Sequence, residues 1–363
     1  MARGHSQGPV WRPRGTQVTP IAFLLDEAHG WAQERFTPGA FGLDPQWNPA
    51  LLTAGRHEAG IRGWFDIAYY PAPETQNEPS SAIRQTYVNG ISGDIFDVIV
   101  TVPSHTAIAS VYPVLIAAGV ISLSQEWSKA LLEYVQSGGS LVVSADQLTG
   151  PGVKAFGLSS LSALREGSSF TWTLTGQSIA YNAFRFHALA VSGRDRVLAS
   201  VPDSAPLCLA HPVGKGQIIV VGVPMGLGID ERPTPLLGLL LRHLAQGLLP
   251  VQVSGDVEWV VNRLDNGGWV VALFNNRGVI KPQHGVLPTD HRQAQQVTLR
   301  LPFGVTKSTE WVTGMPMHWM PVKKGGTLSL TVPAGGVRLV EFIQERQIIG
   351  DKRQEGSRTL PAR

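Results

Sequence analysis

The stretch Tyr112 to Asp146 reads YPVLIAAGVISLSQEWSKALLEYVQSGGSLVVSAD, and it decides the fold of the first half of the chain. Its beginning, Val114 to Ala118, is a continuous apolar run, as expected of a strand that is buried on both faces. Its end, Ser140 to Ser144, is a second apolar run of the same kind. We therefore predict two buried strands that are separated by a single intervening segment.

The intervening segment has the features of a helix. Ser122 or Ser124 is suited to cap its first turn, because a serine hydroxyl accepts a hydrogen bond from a backbone amide at a helix start. Its apolar residues recur at helical spacing, and Gly138 and Gly139 end it. A strand, a crossover helix and another strand within about 35 residues predict a right-handed parallel βαβ unit. The first domain is therefore predicted to be α/β.

Further apolar runs extend this first domain. Pro20 to Leu25 and Val98 to Val102 are predicted strands, and Gly63 to Tyr70 is compatible with another. Pro206 to Val223 predicts a hairpin whose turn is Gly214-Lys215-Gly216. The leucine-rich segment Thr234 to Leu248 predicts a helix that closes the domain on its sheet.

The pattern changes near Pro250. Asp265-Asn266-Gly267 is a strong hairpin turn signal between two apolar runs. No helical period occurs between Val251 and Ile343, so this half is predicted to be an all-β sandwich of antiparallel strands. Trp259 and Trp269 flank the same hairpin and are predicted to pair across the strands in the core.

These patterns divide the chain into four segments. They are a flexible lead-in at residues 1–18, an α/β domain at 19–249, a β-sandwich at 250–344 and a disordered, charged tail at 345–363.

Composition excludes several classes of function. The net charge of +3 is small for 363 residues, so we predict no nucleic-acid surface. No run of 18 apolar residues is present, and the first 15 residues lack the apolar core of a signal peptide. The chain as given is therefore expected to be cytoplasmic, with no membrane partner.

The single cysteine, Cys208, lies in the apolar context PLCLA and is predicted to be a buried strand thiol. Class I amidotransferases need a cysteine in a tight G-x-C-x-G elbow, which this site lacks. His57-Glu58 begins like H-E-x-x-H but has no second histidine, so a zinc site is rejected. The glycine-rich segment Gly222 to Gly228 matches no phosphate-binding motif. We predict no cofactor and no metal.

Two sets of motifs carry a resemblance to a known family. The first set is Tyr112 to Ile116, the Leu-Ser before the helix, and Tyr134-Val135-x-x-Gly138-Gly139-x-Leu-Val-Val. The second is Trp269 to Asn276 together with Val332 to Val337. The first set resembles the glutamine-amidotransferase-like domain of glycoside hydrolases, in particular the β-galactosidase trimerisation domain of family 42 enzymes. The second is similar to the small β-sandwich that follows it.

The resemblance covers about Pro20 to Ile343 and has several implications. It implies a flavodoxin-like, class I amidotransferase-like α/β domain followed by the sandwich. In that family the catalytic acid/base and nucleophile lie on a preceding (β/α)₈ barrel, and this sequence has no barrel to receive them. We therefore expect no catalytic residue here, and an accessory or assembly role instead. A homo-oligomer or a separately encoded catalytic barrel is the implied partner.

One polar turn is the best candidate for a ligand site. It follows the predicted strand that ends at Leu25, and open α/β sheets bind ligands beyond the carboxyl ends of their strands. The candidate ligand-binding residues are Asp26, Glu27, His29 and Trp31, with Asp94 and Asp97 as possible additions. Asp94 and Asp97 precede the predicted strand Val98 to Val102, so in a parallel sheet they would lie at the opposite end from Asp26.

Three functions remain open for this turn. It could be a structural turn in a non-catalytic module, or the site of a glycoside hydrolase-related hydrolase. It could also bind carbohydrate, since an aromatic face beside carboxylates suits sugar C–H and hydroxyl groups. An exposed strip of the sandwich tryptophans would offer a second carbohydrate platform, although core positions are favoured for them.

Overall fold

The computed structural model describes residues 14–27, 64, 68, 93–119, 121, 123–148, 162–224, 234–279, 287–323 and 325–344. These residues are mostly β-strands with few helices. The strands of the first half are β1 (Thr16–Gln17), β2 (Ile21–Leu25), β3 (Phe96–Val100), β4 (Val114–Ala117), β5 (Ser140–Ser144), β6 (Leu164–Trp172), β7 (Gln177–His187), β8 (Arg196–Ser200), β9 (Pro206–Val213) and β10 (Gly216–Val221). The α-helices that are described over their whole length are α1 (Gln125–Ser137) and α2 (Thr234–Ala245).

The strands of the second half are shorter on average and are all antiparallel. They are β11 (Gln252–Ser254), β12 (Glu258–Arg263), β13 (Trp269–Phe274), β14 (Gln295–Leu301), β15 (Val305–Glu310), β16 (Met320–Val322), β17 (Gly325–Val332) and β18 (Val337–Gln344). Together with β1 they form a five-stranded sheet, β1-β12-β13-β18-β15, and a four-stranded sheet, β11-β14-β17-β16. Buried side chains from both sheets belong to one hydrophobic cluster, as in sheets packed face to face.

The first half is a nine-stranded sheet in the order β3-β2-β4-β5-β10-β9-β8-β6-β7. Strands β3, β2, β4, β5 and β10 are parallel to their neighbours in that order. The predicted βαβ unit is confirmed, because β4 and β5 pair in parallel and α1 connects them. From β10 onward the pairing is antiparallel. Short turns such as Gly214-Lys215 can join only antiparallel strands, which explains this extension.

The two faces of the parallel strands bury alternate residues under different helices. One face carries Ile21, Phe23 and Ile116 and packs with the leucines of α2. The other carries Leu24 and Leu115 and packs with apolar residues of α1. Since successive side chains of a strand point to opposite faces, a strand that is covered on both faces needs a continuous apolar run.

The motif around α1 is explained by local packing. Ser124 caps α1 by accepting a hydrogen bond from the Trp127 amide at 3.2 Å. The Tyr134 hydroxyl donates to the backbone oxygens of Pro113 (2.9 Å) and Ser140 (3.1 Å), just before β4 and at the start of β5. Burial raises the pKa of this phenol well above its usual range. The tyrosine ring lies where a side chain at Gly139 would be.

Several expectations need correction. Trp64 and Ala68 are helical, so Gly63 to Tyr70 is not a strand at these two described positions. Thr16 and Gln17 form β1 on β12, so the end of the predicted flexible lead-in is ordered by pairing with the second half. Trp269 lies opposite Arg263, whose guanidinium carbon is 5.6 Å from the centroid of the Trp269 ring. Trp259 lies opposite Leu273, so the two tryptophans do not pair. β1 and β12 are far apart in the sequence, so no local sequence signal predicts their pairing.

Candidate functional site

The candidate turn lies at the carboxyl edge of the parallel strands. Asp26 is half-buried and directly follows β2, and Glu27 is exposed. The amide of Thr101 donates to Leu25 O (2.8 Å), and the amide of Ala118 donates to Leu24 O (3.0 Å). The parallel pairing therefore continues beyond the ends of β3 and β4, and Asp26 lies between the segments that follow these two strands. Because β3 and β4 lie on opposite sides of β2, the order of the strands reverses at this point. Ligands bind at such a reversal in doubly wound sheets.

The other two candidate acids lie at the opposite edge. In the parallel register Asp97 is opposite Ala22, near the start of β2, and Asp94 precedes β3. Four residues separate Ala22 from Asp26, so about 13 Å along the strands separates Asp97 from the candidate turn. The expectation that these acids occupy opposite ends of the strands is confirmed. His29 and Trp31 lie outside the described residues.

Asp94 and Asp97 instead belong to a junction between the two halves of the chain. The Gln17 side-chain amide donates to Asp94 Oδ2 (2.8 Å) and to its backbone oxygen (2.9 Å). The Asp94 amide donates to Trp259 O at 3.0 Å. Gly93, at φ +80°, lies directly against the Trp259 indole. Gly93 and Asp94 therefore have a structural role, because both contact residues of other segments at this junction.

Asp97 is held by hydroxyl groups at the same edge. Thr19 Oγ1 donates to Asp97 Oδ2, and the Tyr112 hydroxyl donates to the same oxygen at 2.9 Å. Burial, followed by this bond to the carboxylate, raises the pKa of Tyr112 to about 12. The carboxylate therefore ties β3 to the segments that precede β2 and β4.

Replacement of Asp94 tests the junction. Burial raises the pKa of this carboxyl, and Asp97 adds to the effect while the bond from Gln17 opposes it. A raised folded-state pKa favours the folded state most at low pH, and this contribution is lost as pH rises through that pKa. At neutral pH we expect Asp94→Ala to lower the free energy of unfolding by about 1 kcal/mol, because a hydrogen bond is lost.

The matched control is Asp94→Asn, which keeps an acceptor for Gln17 without a buried charge. We expect its unfolding free energy in urea to equal or exceed that of the wild type. If Asp94→Ala left stability unchanged, the junction role of Asp94 would be wrong.

Sequence reasoning missed a polar clamp beside the candidate turn. The Gln147 side chain accepts a hydrogen bond from the Ser144 amide (2.7 Å) and donates to Ala117 O (3.2 Å) and Gly119 O. It joins the carboxyl ends of β4 and β5. The Trp127 indole similarly donates to Val102 O at 2.9 Å. The available signal for Gln147 was its place just after a predicted strand.

A second missed pair lies on the antiparallel strands. The Asp195 carboxylate, 4% exposed, contacts His211 Nδ1 at 2.6 Å and accepts from the Ser192 amide at 2.7 Å. Burial raises the pKa of Asp195, but the bonds from Ser192 and His211 outweigh it, so the net shift is downward. The pair fastens the turn before β8 to β9.

Cys208 is fully buried in β9, as predicted. Burial raises the pKa of its thiol to about 12, so the nucleophilic thiolate is scarce at neutral pH. Its strand is antiparallel to β10 and does not lead into a helix, so the geometry of a nucleophile elbow is absent at this cysteine.

Alkylation measures this protection directly. We expect iodoacetamide at about pH 8 to leave Cys208 unmodified in the folded chain and to modify it fully in denaturant. Intact mass spectrometry with and without denaturant provides the readout. Rapid modification of the folded chain would contradict the buried, inert thiol.

The four tryptophans of the second half do not form an exposed strip. Trp259 is buried, and Trp269, Trp311 and Trp319 are half-buried. The Trp311 indole donates a hydrogen bond to Glu341 Oε2 at 2.8 Å. The Trp319 ring packs on the Phe342 ring, with 5.6 Å between the two ring centroids. These side chains therefore serve packing, as the sequence favoured.

The described ranges contain neither a metal-binding cluster nor a membrane-spanning helix. In those ranges no three His, Cys, Asp or Glu side chains lie close enough together to hold a metal ion. No described helix combines the length and apolar character that a membrane crossing needs.

The comparisons with known proteins rest on fold. No protein-family model matches the chain, and no curated protein matches it. Alpha-L-fucosidase isoenzyme 2 from Paenibacillus thiaminolyticus is similar to it with a TM-score of 0.55 and 13% identity, over 91% of this chain and 49% of that one. Beta-galactosidase from Bacillus circulans sp. alkalophilus is similar with a TM-score of 0.50 and 13% identity, over 91% of this chain and 42% of that one.

A GH42 beta-galactosidase from G. stearothermophilus gives a TM-score of 0.49 and 16% identity, over 90% of this chain and 40% of that one. The chain thus spans less than half of the length of each of these proteins. At these identities the likeness concerns the fold alone. It agrees with the resemblance read from the sequence at the level of a partial fold.

Proposed function

We propose that this chain is a non-catalytic accessory module that resembles the C-terminal part of a glycoside hydrolase and acts in carbohydrate metabolism. The observation that carries the proposal is the similarity of 91% of the chain to under half of an α-L-fucosidase and a β-galactosidase. A module that matches only part of such enzymes suits support and assembly of a catalytic unit.

The arrangement of the acids favours this function over hydrolysis. Glycoside hydrolysis needs two carboxyl groups about 5–9 Å apart across the scissile bond. Asp26 and Asp97 are separated by about 13 Å along the strands. Asp94 and Asp97 are also engaged by Gln17, Thr19 and Tyr112, which suits a structural role.

We further propose a specific fold and specific limits for each of the two domains. Residues 19–249 would form a flavodoxin-like, class I amidotransferase-like domain of the β-galactosidase trimerisation type, and residues 250–344 a β-sandwich. The order β3-β2-β4-β5-β10 supports this, because it corresponds to the order 2-1-3-4-5 of flavodoxin-like sheets. The implied partner is another copy of the chain or a separately encoded catalytic barrel.

Light scattering and an activity panel test the proposal together. We expect the purified chain to be inert on a panel of chromogenic glycosides and to have the molar mass of a homo-oligomer. Turnover of a glycoside would overturn the non-catalytic role. A monomer at all concentrations would overturn self-assembly and leave the separate barrel as the partner.

The second candidate is a carbohydrate or hydrolase site at the Asp26 turn, which the position of Asp26 at the strand-order reversal favours. Asp26→Ala and His29→Ala would then lower any activity on glycosides, and Trp31→Ala would lower glycan retention. Asp265→Ala, at an exposed hairpin turn, is the matched control. A wild-type chain that neither turns over nor retains glycans would contradict this candidate.

A further inference from the structure

Three of the five methionines of the chain fall within residues 315–320. Met315 is 61% exposed and Met320 is 59% exposed, beside Val312 at 58%. Methionine is usually a buried residue, so two exposed thioethers so close together are unusual. The other two methionines, Met1 and Met225, lie outside the described residues.

Backbone hydrogen bonds hold the methionine segment, residues 315–320, in place. The Glu310 amide donates to Met315 O at 2.8 Å, and the Met317 amide donates to Ser308 O at 3.1 Å. Met320 belongs to β16 and is opposite Thr327 of β17. The exposure of the two thioethers is therefore part of an ordered structure.

Met317, between them, is in a different environment. Its side chain is half-buried and packs against the main hydrophobic cluster, as does that of Trp319. One methionine of the segment therefore contributes to the core, and the other two are exposed to solvent.

We propose that Met315 and Met320 are modification sites that hydrogen peroxide converts to methionine sulfoxides while the fold is retained. The sulfur lone pair attacks one peroxide oxygen, an S–O bond forms and the O–O bond breaks. Sulfur is oxidised by two electrons, and the departing hydroxide takes the remaining proton and leaves as water. Methionine reacts in this way according to its exposure, and methionine sulfoxide reductases reverse the change.

The modification changes the character of the surface in two stages. Sulfoxides at Met315 and Met320 make two exposed apolar side chains of the methionine segment polar without entering the core. A sulfoxide at Met317 would place a polar oxygen against the hydrophobic cluster, which destabilises the fold. The exposed pair therefore reacts first and the half-buried Met317 later.

Peptide mass spectrometry after timed exposure to hydrogen peroxide tests the order. In the folded chain we expect Met315 and Met320 to be oxidised about tenfold faster than Met317, and in denaturant we expect equal rates. We also expect the thermal unfolding midpoint to stay constant until Met317 is oxidised.

The control is the double variant M315L/M320L, which keeps apolar side chains of similar size at both positions. It should lack the fast phase and retain the slow one. Equal rates at all three positions of the folded chain would overturn the proposal. Loss of stability in step with the fast phase would also overturn it.

Discussion

Gly139→Ala is expected to lower the free energy of unfolding by about 3 kcal/mol, since overpacking a core position forces neighbours to move. The new Cβ would overlap the ring of Tyr134. This ring cannot withdraw without losing the hydroxyl bonds to Pro113 O and Ser140 O, which join the beginnings of β4 and β5. The effect is measured as the shift in urea-induced unfolding.

The matched control for this change is Gly193→Ala. A Cβ at Gly193 would meet no atom within 4 Å, so the same substitution should cost a few tenths of a kcal/mol at most. Tyr134→Phe keeps the ring and removes the hydroxyl bonds, and should lower the free energy of unfolding by about 1 kcal/mol. Equal stability of the two alanine variants would contradict the packing argument.

Glu310→Ala is expected to lower the free energy of unfolding by about 3 kcal/mol, because it removes a buried carboxylate that accepts four hydrogen bonds. The Glu310 side chain is 2% exposed. Its carboxylate accepts hydrogen bonds from the amides of Val312 (3.0 Å), Thr313 (2.8 Å) and Leu339 (3.2 Å) and from the Thr313 hydroxyl (2.6 Å). It thereby joins the turn at Val312 and Thr313, which precedes the methionine segment, to β18.

Glu310→Gln is the conservative variant and also tests the pH dependence. Burial raises the pKa of Glu310, but the bonds from Thr313, Leu339 and Val312 outweigh it, so the folded-state pKa lies below the ordinary value. The carboxylate therefore contributes stability above the ordinary pKa, and this contribution is lost as pH falls through the folded-state pKa.

Unfolding free energies from about pH 7 to pH 3 provide the measurement, since the ordinary glutamate pKa lies within this window. The difference between wild type and Glu310→Gln should be largest near neutral pH and shrink on acidification. A difference that stays constant over this range would contradict the pKa argument.

Much of the fold was predictable because its signals are local. The apolar runs of β4 and β5, the serine cap and the two glycines act within about 35 residues, and each has its predicted structure. The turns at Gly214-Lys215 and Asp265-Asn266-Gly267 join the predicted hairpins. Local chemistry determines where such elements begin and end.

The candidate site was less predictable because it depends on contacts between distant segments. The strand register separated Asp26 from Asp94 and Asp97, and the sequence anticipated this. The assignment of Asp94 to a junction was not anticipated, since it needs Gln17 and Trp259, which lie 77 residues before it and far after it. No periodicity or turn motif encodes such a pairing.

The short strand β1 has a consequence for how the chain unfolds. It lies on β12 of the second half, and a few residues later the chain enters β2, which lies between β3 and β4 in the first sheet. The first half is thus inserted between two adjacent strands of one sheet of the second half, and one hydrophobic cluster includes residues of both. A cut near residue 250 would remove a strand from that sheet. The two halves should therefore melt together, as a single cooperative unit.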